Sequence, residues 1–466
     1  MKTILKLCIF LFSIISLQAQ ELSGYWLGTL NVQGQSLRIA FNITHVNGEY
    51  ITTMDSPDQK AKGIPTNTIS MLTDRIEVKI PNMGVVYKGK QVSPKTIDGI
   101  FSQAGLNLQL NLNKQDNSVL ENLRPQTPTK PFPYFSEDIK FNNPEANINL
   151  AGTFTKPNKL GKFQTVILIS GSGPQNRDEE IMDHKPFLVL SDYLTKQGYA
   201  VLRFDDRGTY ASEGDFSTAT SLDFATDVEA AIDYLKTRDD VDKSKIGLIG
   251  HSEGGVIAPI VASQRSDVAF IVLLAGTGVP GKTIIVDQIF EINKANGESE
   301  EYNLASTEIS KLSFDYLESI LDKADKKDLL TTYMSELIKT YEHFKLPQNI
   351  SSDQFVKSQV EQLCSPWMSF FLFYNPQNAL IKTTCPTLAI NGNKDLQVKS
   401  SLNLPAIEKA LQKNGNTSFK TFELEGLNHL FQECKTGSPN EYEQIKQTFS
   451  PLALSTISDW ISSLNL

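Results

Sequence analysis

Cysteine and histidine are scarce in this chain, with 4 and 5 of 466 residues, and basic residues are outnumbered. Each shortage excludes something. Cys8 falls inside an N-terminal apolar run, so the rest of the chain keeps Cys364, Cys385 and Cys434. Three thiols allow at most one disulfide with one to spare. Their spacing fits no metal site, and no metal or cofactor is implied. Lysine and arginine total 44 against 53 acidic residues, a net charge of -9. That balance argues against a nucleic-acid partner or an anionic membrane surface. The N-terminal apolar run, residues 7–17, is too short to span a bilayer. Lys2 and Lys6 precede it and Leu17-Gln18-Ala19 follows, so residues 1–19 read as a cleavable signal peptide. The expected location is therefore periplasmic or secreted. Cys8 lies within the run rather than at its end, which speaks against a lipid-bearing cysteine and a stable membrane anchor.

At 466 residues the chain is too long for one ordinary core. Residues 20–120 read as a small antiparallel β barrel or sandwich. Leu37, Ile39, Phe41 and Ile43 alternate with polar residues; so do Ile76, Val78 and Ile80, and Leu106, Leu108, Leu110 and Leu112. Asn47-Gly48 between two such runs predicts a hairpin. Pro125, Pro128, Pro131 and Pro133 then predict an extended linker over 121–135. Beyond it, TVILIS, YAVLRF, KIGLIG, AFIVLLAG and PTLAING read as buried parallel strands. Phe224, Val228, Ile232 and Leu235 share one helical face between two of them. Strands and helices in alternation predict an α/β domain over 136–279 and 377–466. Residues 280–376 contain no strand pattern. They form a helical insertion, placed where open α/β sheets put the cover of a site, so they are the candidate lid.

The stretch GHSEGG starts at Gly250, after KIGLIG and before the helical run VIAPIVAS. Strand, sharp turn and helix are the context in which G-x-S-x-G presents a nucleophilic serine. Such a hydroxyl needs a base, and the base needs an orienting carboxylate. Those partners should follow in the order acid, then histidine. Asp395 lies just past the strand PTLAING, and His429 lies past TSFKTFELEG. Of the five histidines, only His429 follows Asp395. Ser252, Asp395 and His429 are therefore the candidate triad. The amide of Glu253, after the serine, and that of Ser172, in the loop GSGPQNRDE, are the candidate oxyanion-hole donors. Asp206 and Arg207 are expected to form an ion pair that holds this loop, with Arg177 or Asp178 as further partners. Trp367, Phe370, Phe371 and Phe373 are candidates for an acyl pocket, with packing inside the insertion as the alternative.

Together ISGSGPQNRDE, KPFLVLSDYL, RFDDRG, GLIGHSEGG, SPWMSFFLFYNP, NGNKDLQV and GLNH resemble bacterial esterases of the EstD type. These are α/β-hydrolases grouped near the serine aminopeptidase-like (S33-like) hydrolases. GYWLGTL and MDSPDQKAKGIP resemble the β domain that precedes the hydrolase in many members. The resemblance implies carboxylic ester hydrolysis with Ser252, Asp395 and His429 as the triad. One position departs from it. Where the family's D-x-R-G-x-G-x-S pattern has its second glycine, DDRGTYAS has Tyr210.

The expectation is a secreted or periplasmic serine carboxylesterase that acts on short- to medium-chain acyl esters, either small molecules or glycan-linked. Three alternatives stay open. An aminopeptidase or amidase of the same fold could hold a substrate amine with insertion carboxylates such as Glu291, Glu298, Glu300 or Glu301. An acyltransferase would pass the acyl group to an alcohol. The β domain could instead bind glycan, with Tyr25 and Trp26 as stacking candidates. The sequence fixes neither the natural substrate nor the oligomeric state.

Overall fold

The computed structural model describes residues 22–32, 35–46, 49–57, 61–72, 75–103, 106–115, 124–346, 350–413 and 415–464. The expected signal peptide lies outside these residues. The chain divides into two compact units, one up to Leu123 and one from Arg124.

The first unit is one antiparallel sheet of ten strands. They are β1 (Gly24–Val32), β2 (Gln35–Val46), β3 (Glu49–Ser56), β4 (Ala61–Pro65), β5 (Asn67–Leu72), β6 (Arg75–Ile80), β7 (Val85–Ser93), β8 (Thr96–Gln103), β9 (Leu106–Gln109) and β10 (Leu112–Gln115). The order runs β4-β3-β2-β1-β10-β8-β7-β6-β5, with β9 also on β8. The two ends, β4 and β5, are consecutive in the chain, and β3 touches β5. The sheet thus curls around its own core, which is how an antiparallel sheet protects its edges. The alternating residues fill that core: Ile39, Phe41, Ile43, Ile76, Val78 and Ile80 are all buried. Val46 pairs with Glu49, and the expected turn at 47–48 lies outside the described residues. The run Leu106 to Leu112 is not one strand. It breaks between β9 and β10, and Leu106 is 54% exposed while Leu110 and Leu112 are buried. At the break the Tyr87 hydroxyl donates to the Leu110 carbonyl, 3.2 Å, and the Leu110 amide donates to Gly99 O. Trp26 is fully buried, and its indole N–H donates to Leu22 O at 2.8 Å. It belongs to the core and offers no face for a sugar.

The second unit carries an eight-stranded sheet: β11 (Phe135–Asn143), β12 (Ile148–Lys156), β13 (Phe163–Ile169), β14 (Ala200–Phe204), β15 (Val241–His251), β16 (Phe270–Leu274), β17 (Thr387–Gly392) and β18 (Phe419–Leu424). Its order is β11-β12-β14-β13-β15-β16-β17-β18. β11–β12 and β12–β14 pair antiparallel, and every later pair is parallel. Both faces are covered, which is why the strands read as unbroken apolar runs. Along β13, Ile167 and Ile169 join one hydrophobic layer, while Val166 and Leu168 join the other. Helices α1 (Pro186–Lys196), α2 (Ser221–Thr237) and α3 (Gly254–Gln264) connect the first parallel strands.

Between β16 and β17 come α4 (Gly281–Ala295), α5 (Glu300–Ser319), α6 (Lys326–Leu337), α7 (Ser352–Leu363), α8 (Pro366–Phe373) and the short α9 (Gln377–Leu380). The first five of these have a core of their own, with Phe314, Leu317, Leu330, Met334, Val360 and Leu372 buried together. Helices α10 (Ser400–Lys413) and α11 (Pro451–Ser463) complete the unit.

The proline-rich stretch is tied down from Arg124 onward. The Arg124 guanidinium donates to the carbonyls of Met182, Glu443 and Ile445 at 2.7, 2.9 and 3.2 Å. Gln126 donates to Phe449 O and accepts from the amides of Thr448 and Phe449. Deleting these residues strands buried polar groups, at roughly 1–3 kcal/mol each. A chain that starts at Arg124 should therefore have a higher thermal midpoint than one that starts at Phe135. Equal midpoints by calorimetry would show that these bonds add nothing.

Candidate active site

Ser252 sits between β15 and α3 with a left-handed backbone, φ 52°. A non-glycine residue there stores strain and persists only where its surroundings fix it. Two glycines provide the fixing. A Cβ on Gly250 would lie 1.9 Å from the Gly254 carbonyl oxygen, and one on Gly254 would lie 2.2 Å from Ile169 O. No side chain fits at either position. The Ser252 amide donates to Leu274 O at 2.8 Å, which pins the turn to the neighbouring strand.

Asp395 follows β17 and His429 follows β18. His429 Nδ1 is 2.8 Å from Asp395 Oδ2. The other oxygen, Oδ1, accepts from the amides of Gln397 and Val398, both at 2.8 Å. Asp395 and His429 are 3% and 5% exposed. A carboxylate held this way fixes both the tautomer and the plane of the imidazole it faces. Ser252 and His429 line one cavity of about 230 Å³ together with Ser172, Trp367 and Phe371. The insertion also contributes Ile284 and Ile285 to its wall. Phe370 is not part of this wall. Its ring stacks on Tyr374 at 5.0 Å, and Phe373 packs into the insertion's core. At 3.6 residues per turn, residue 371 lies about 40° around the helix from 367 and residue 370 about 60° the other way, so the cavity takes Phe371 and not Phe370.

Three residues not singled out from sequence hold the loops together. Glu179 Oε1 accepts from the Gly171 amide at 2.6 Å and faces His251 Nδ1 at 2.9 Å. His251 Nε2 faces the His429 carbonyl at 3.0 Å. Both partners of the ring are acceptor oxygens, so both nitrogens donate and the ring is an imidazolium. Burial pushes the His251 pKa down, but Glu179, by charge and hydrogen bond, and the His429 carbonyl outweigh it and the net shift is upward. The third residue, Asn428, accepts from the amides of Leu430 and Gln432 and so shapes the turn that carries His429. His251 lies within GHSEGG, Glu179 ends ISGSGPQNRDE and Asn428 precedes His429 in GLNH, so the motifs contain all three residues without marking these roles.

The expected Asp206–Arg207 pair does not form. The Arg207 guanidinium turns to Asp227, with Nε–Oδ2 at 2.7 Å and a second bond at 2.9 Å. Asp206 holds the loop without a cation, through the Ser170 hydroxyl at 2.6 Å and the Gln175 amide at 2.9 Å. Burial pushes its carboxyl well above the usual range. Asp205 instead takes Arg177, at 2.7 Å, and Arg203 pairs with Asp178. Tyr210 adopts φ 49° and is 76% exposed, so the position keeps the conformation that a glycine would favour while its ring stands in solvent.

The Gly171 amide is committed to Glu179. Among the described residues, the amides of Ser172 and Glu253 have no acceptor within the chain. A strained serine, an imidazole oriented by a carboxylate and two uncommitted amides are the parts that nucleophilic acyl transfer needs. The three cysteines are free thiols.

Residues 121–416 match the family model of the X-Pro dipeptidyl-peptidases, the S15 family. The chain belongs to that family. Esterase EstD of Thermotoga maritima is 27% identical over 302 residues, covering 64% of this chain and 62% of that protein. The chain thus spans less than two thirds of that relative's length. The uncharacterized protein YfhR of Escherichia coli O157:H7 is 27% identical over 173 residues, 34% of this chain and 57% of the relative. Among solved structures, the Pyrococcus furiosus esterase Pf2001 aligns with a TM-score of 0.40 and 17% identity, covering 71% of this chain and 92% of that one. The EstD-type resemblance read from the motifs is borne out by the match to Esterase EstD and by the family model.

A histidine whose folded pKa is raised adds stability that is complete below its ordinary value of about 6.5 and is lost as pH climbs through the folded value. Glu179→Gln removes the carboxylate and leaves the ring buried without its counter-charge. It should destabilise by about 3–5 kcal/mol near pH 6. The deficit against the unmodified protein should shrink as pH rises through the raised folded value, where the native ring also loses its proton. Thermal unfolding across that range tests this, and a deficit independent of pH would show that the ring is neutral.

Proposed function

We propose that the protein is a secreted or periplasmic serine carboxylesterase for short- to medium-chain acyl esters. Ser252 Oγ attacks the ester carbonyl carbon as His429 takes its proton. Asp395 holds the ring and steadies the imidazolium. The tetrahedral oxyanion is received by the amides of Ser172 and Glu253. The C–O bond to the alcohol breaks, and His429 returns the proton to the departing oxygen. Water, deprotonated by the same histidine, then releases the acid from Ser252. The insertion is the lid: it narrows the entrance and keeps bulk water from the acyl-enzyme.

The observation that carries this reading is the Asp395–His429 pair at 2.8 Å opening onto the same cavity as the strained Ser252. The size of that cavity, about 230 Å³, supports a small acyl group, since drug-sized ligands occupy roughly 300–1,000 Å³. The family's name favours a second reading, cleavage of X-Pro dipeptidyl amides. Such a substrate brings an ammonium that needs an available carboxylate. The one carboxylate lining the cavity among the described residues, Glu179, is already bonded to Gly171 N and His251. Of the insertion carboxylates considered from sequence, none lines the cavity, and Glu291 is paired with Lys399. The ester reading is therefore preferred.

Ser252→Ala should lower kcat by about four to six orders of magnitude with the fold intact, and the double variant with His429→Ala should be little worse, because the residues act as a unit. Asp395→Asn should cost about four orders. A phosphonate probe should label Ser252 alone by mass spectrometry, and labelling at another serine would refute the assignment. With chromogenic esters of rising chain length, kcat/KM should climb by up to about 0.8 kcal/mol per methylene and then drop once the cavity is full. Preference for X-Pro amides over every ester would transfer the function to the second reading.

A further inference from the structure

We propose that Glu253 determines acyl specificity: its buried carboxylate holds the indole of Trp367 and thereby sets the aromatic wall of the cavity. The inference rests on the esterase reading above. Glu253 is 2% exposed, although it follows the nucleophile candidate directly. Its Oε1 accepts from the Ser221 hydroxyl at 2.6 Å and from Trp367 Nε1 at 2.8 Å. These two donors come from different parts of the chain. Ser221 opens α2 beneath the sheet's helical layer, and Trp367 stands on α8 of the insertion. Among the described residues no lysine, arginine or histidine pairs with this carboxylate. Burial pushes its pKa up, and the hydrogen bonds from Ser221, Trp367 and Ser172 pull against that.

A carboxylate buried without a counter-ion is a costly way to fill space, and a leucine or glutamine would pack more cheaply. What the carboxylate adds is a strong acceptor for the indole N–H. Trp367 stacks on Phe371 one helical turn later, with centroids 5.2 Å apart and planes at 11°. Both rings line the cavity beside Ser252 and His429. The hydrogen bond thus connects the residue after the nucleophile to the wall that an acyl chain would meet. If it is lost, the indole can turn about its own side-chain torsions, and Phe371 loses the ring it stacks on. The wall then no longer has one position relative to the reacting atoms.

The test compares Glu253→Leu, which removes the acceptor, Glu253→Gln, which keeps one, and Trp367→Phe, which keeps a ring but no donor. Acetyl, butyryl and hexanoyl esters give the selectivity. Glu253→Leu and Trp367→Phe should each change the hexanoyl-to-acetyl ratio of kcat/KM by about tenfold or more, in the same direction. The double variant should go no further than either single, and Glu253→Gln should keep the original ratio. Trp367 emission gives a readout that does not depend on turnover, because the chain's other indoles, Trp26 and Trp460, are buried elsewhere. The Trp367 contribution, taken as the difference from the Trp367→Phe protein, should shift in Glu253→Leu and not in Glu253→Gln. Additive changes in the double variant, an unmoved ratio, or Trp367 emission indifferent to Glu253→Leu would each overturn the proposal. If Glu253→Leu fails to fold by circular dichroism, the ratios of Trp367→Phe and Glu253→Gln still decide it. An unmodified protein without ester activity would instead end the functional reading itself, and the specificity claim with it.

Discussion

The distance between α3 and the sheet constrains everything at this site. The backbone of Gly254 approaches the end of β13 so closely that a methyl group would stand 2.2 Å from Ile169 O, and one on Gly255 would stand 2.6 Å from the Cα of Gly276. Helix and strands at that spacing leave the chain between β15 and α3 only a sharp reversal, and Ser252 absorbs it as a left-handed residue. The same approach points the first turn of α3 at the cavity. Gly255, Val256 and Ile257 already donate to the carbonyls of Ser252 and Glu253, which leaves the Glu253 amide, just before the helix, without an acceptor. The strained Ser252 and one uncommitted amide are thus two consequences of one packing distance.

The loop after β13 has no such scaffold, and side chains have to supply it. Residues 170–179 form neither helix nor strand, so their backbone groups need other partners. Asp206 takes the Gln175 amide, Glu179 takes that of Gly171, and Asp205 takes that of Arg177. The result concentrates carboxylates under the site. Three nearby arginines are already spent on Asp205, Asp178 and Asp227. Glu179, Asp206 and Glu253 remain, and among the described residues the one cation in contact with any of them is His251. Burial raises the Asp206 and Glu253 carboxyls for that reason. The imidazolium therefore does electrostatic work as well as bridging the serine turn to the His429 loop.

Much of this was legible in the sequence where a period or an order carried it. Period-two alternation placed the β-domain core, and unbroken apolar runs placed the central strands; Trp26, a stacking candidate from sequence, is buried in that core. Scarcity of histidine made His429 the one candidate after Asp395, and the structure brings that pair within hydrogen-bond distance. What failed had no period. In DDRG, adjacent residues of a turn leave in divergent directions, so Asp206 goes to the loop and Arg207 to α2, although they look like a ready pair. The same applies to the aromatics of α8. Their shared apolar character suggested one wall, but Phe370 and Phe371 leave the helix about 100° apart, and Phe370 stacks on Tyr374 instead. Leu106 to Leu112, by contrast, keeps one register against β8 on both sides of the break between β9 and β10, and of its leucines only Leu106 stands exposed.

The insertion's independence has a mechanical consequence. Its buried cluster, with Leu317, Leu330 and Leu372 at the centre, is separate from the two layers that cover the sheet. It can hold its shape without taking it from the strands. The sheet decides where Ser252, His429 and Asp395 stand, and the helices decide how much room is left around them. Two bodies built this way need only a few directional contacts to be set against each other. The structure supplies the Lys399–Glu291 ion pair on one side and the Glu253–Trp367 hydrogen bond on the other. The second differs from the first in being buried beside the nucleophile, where solvent cannot substitute for either partner and a small rotation of the indole changes the cavity directly. Changes in substrate size can then arise in the helices while the reacting atoms stay fixed by the sheet.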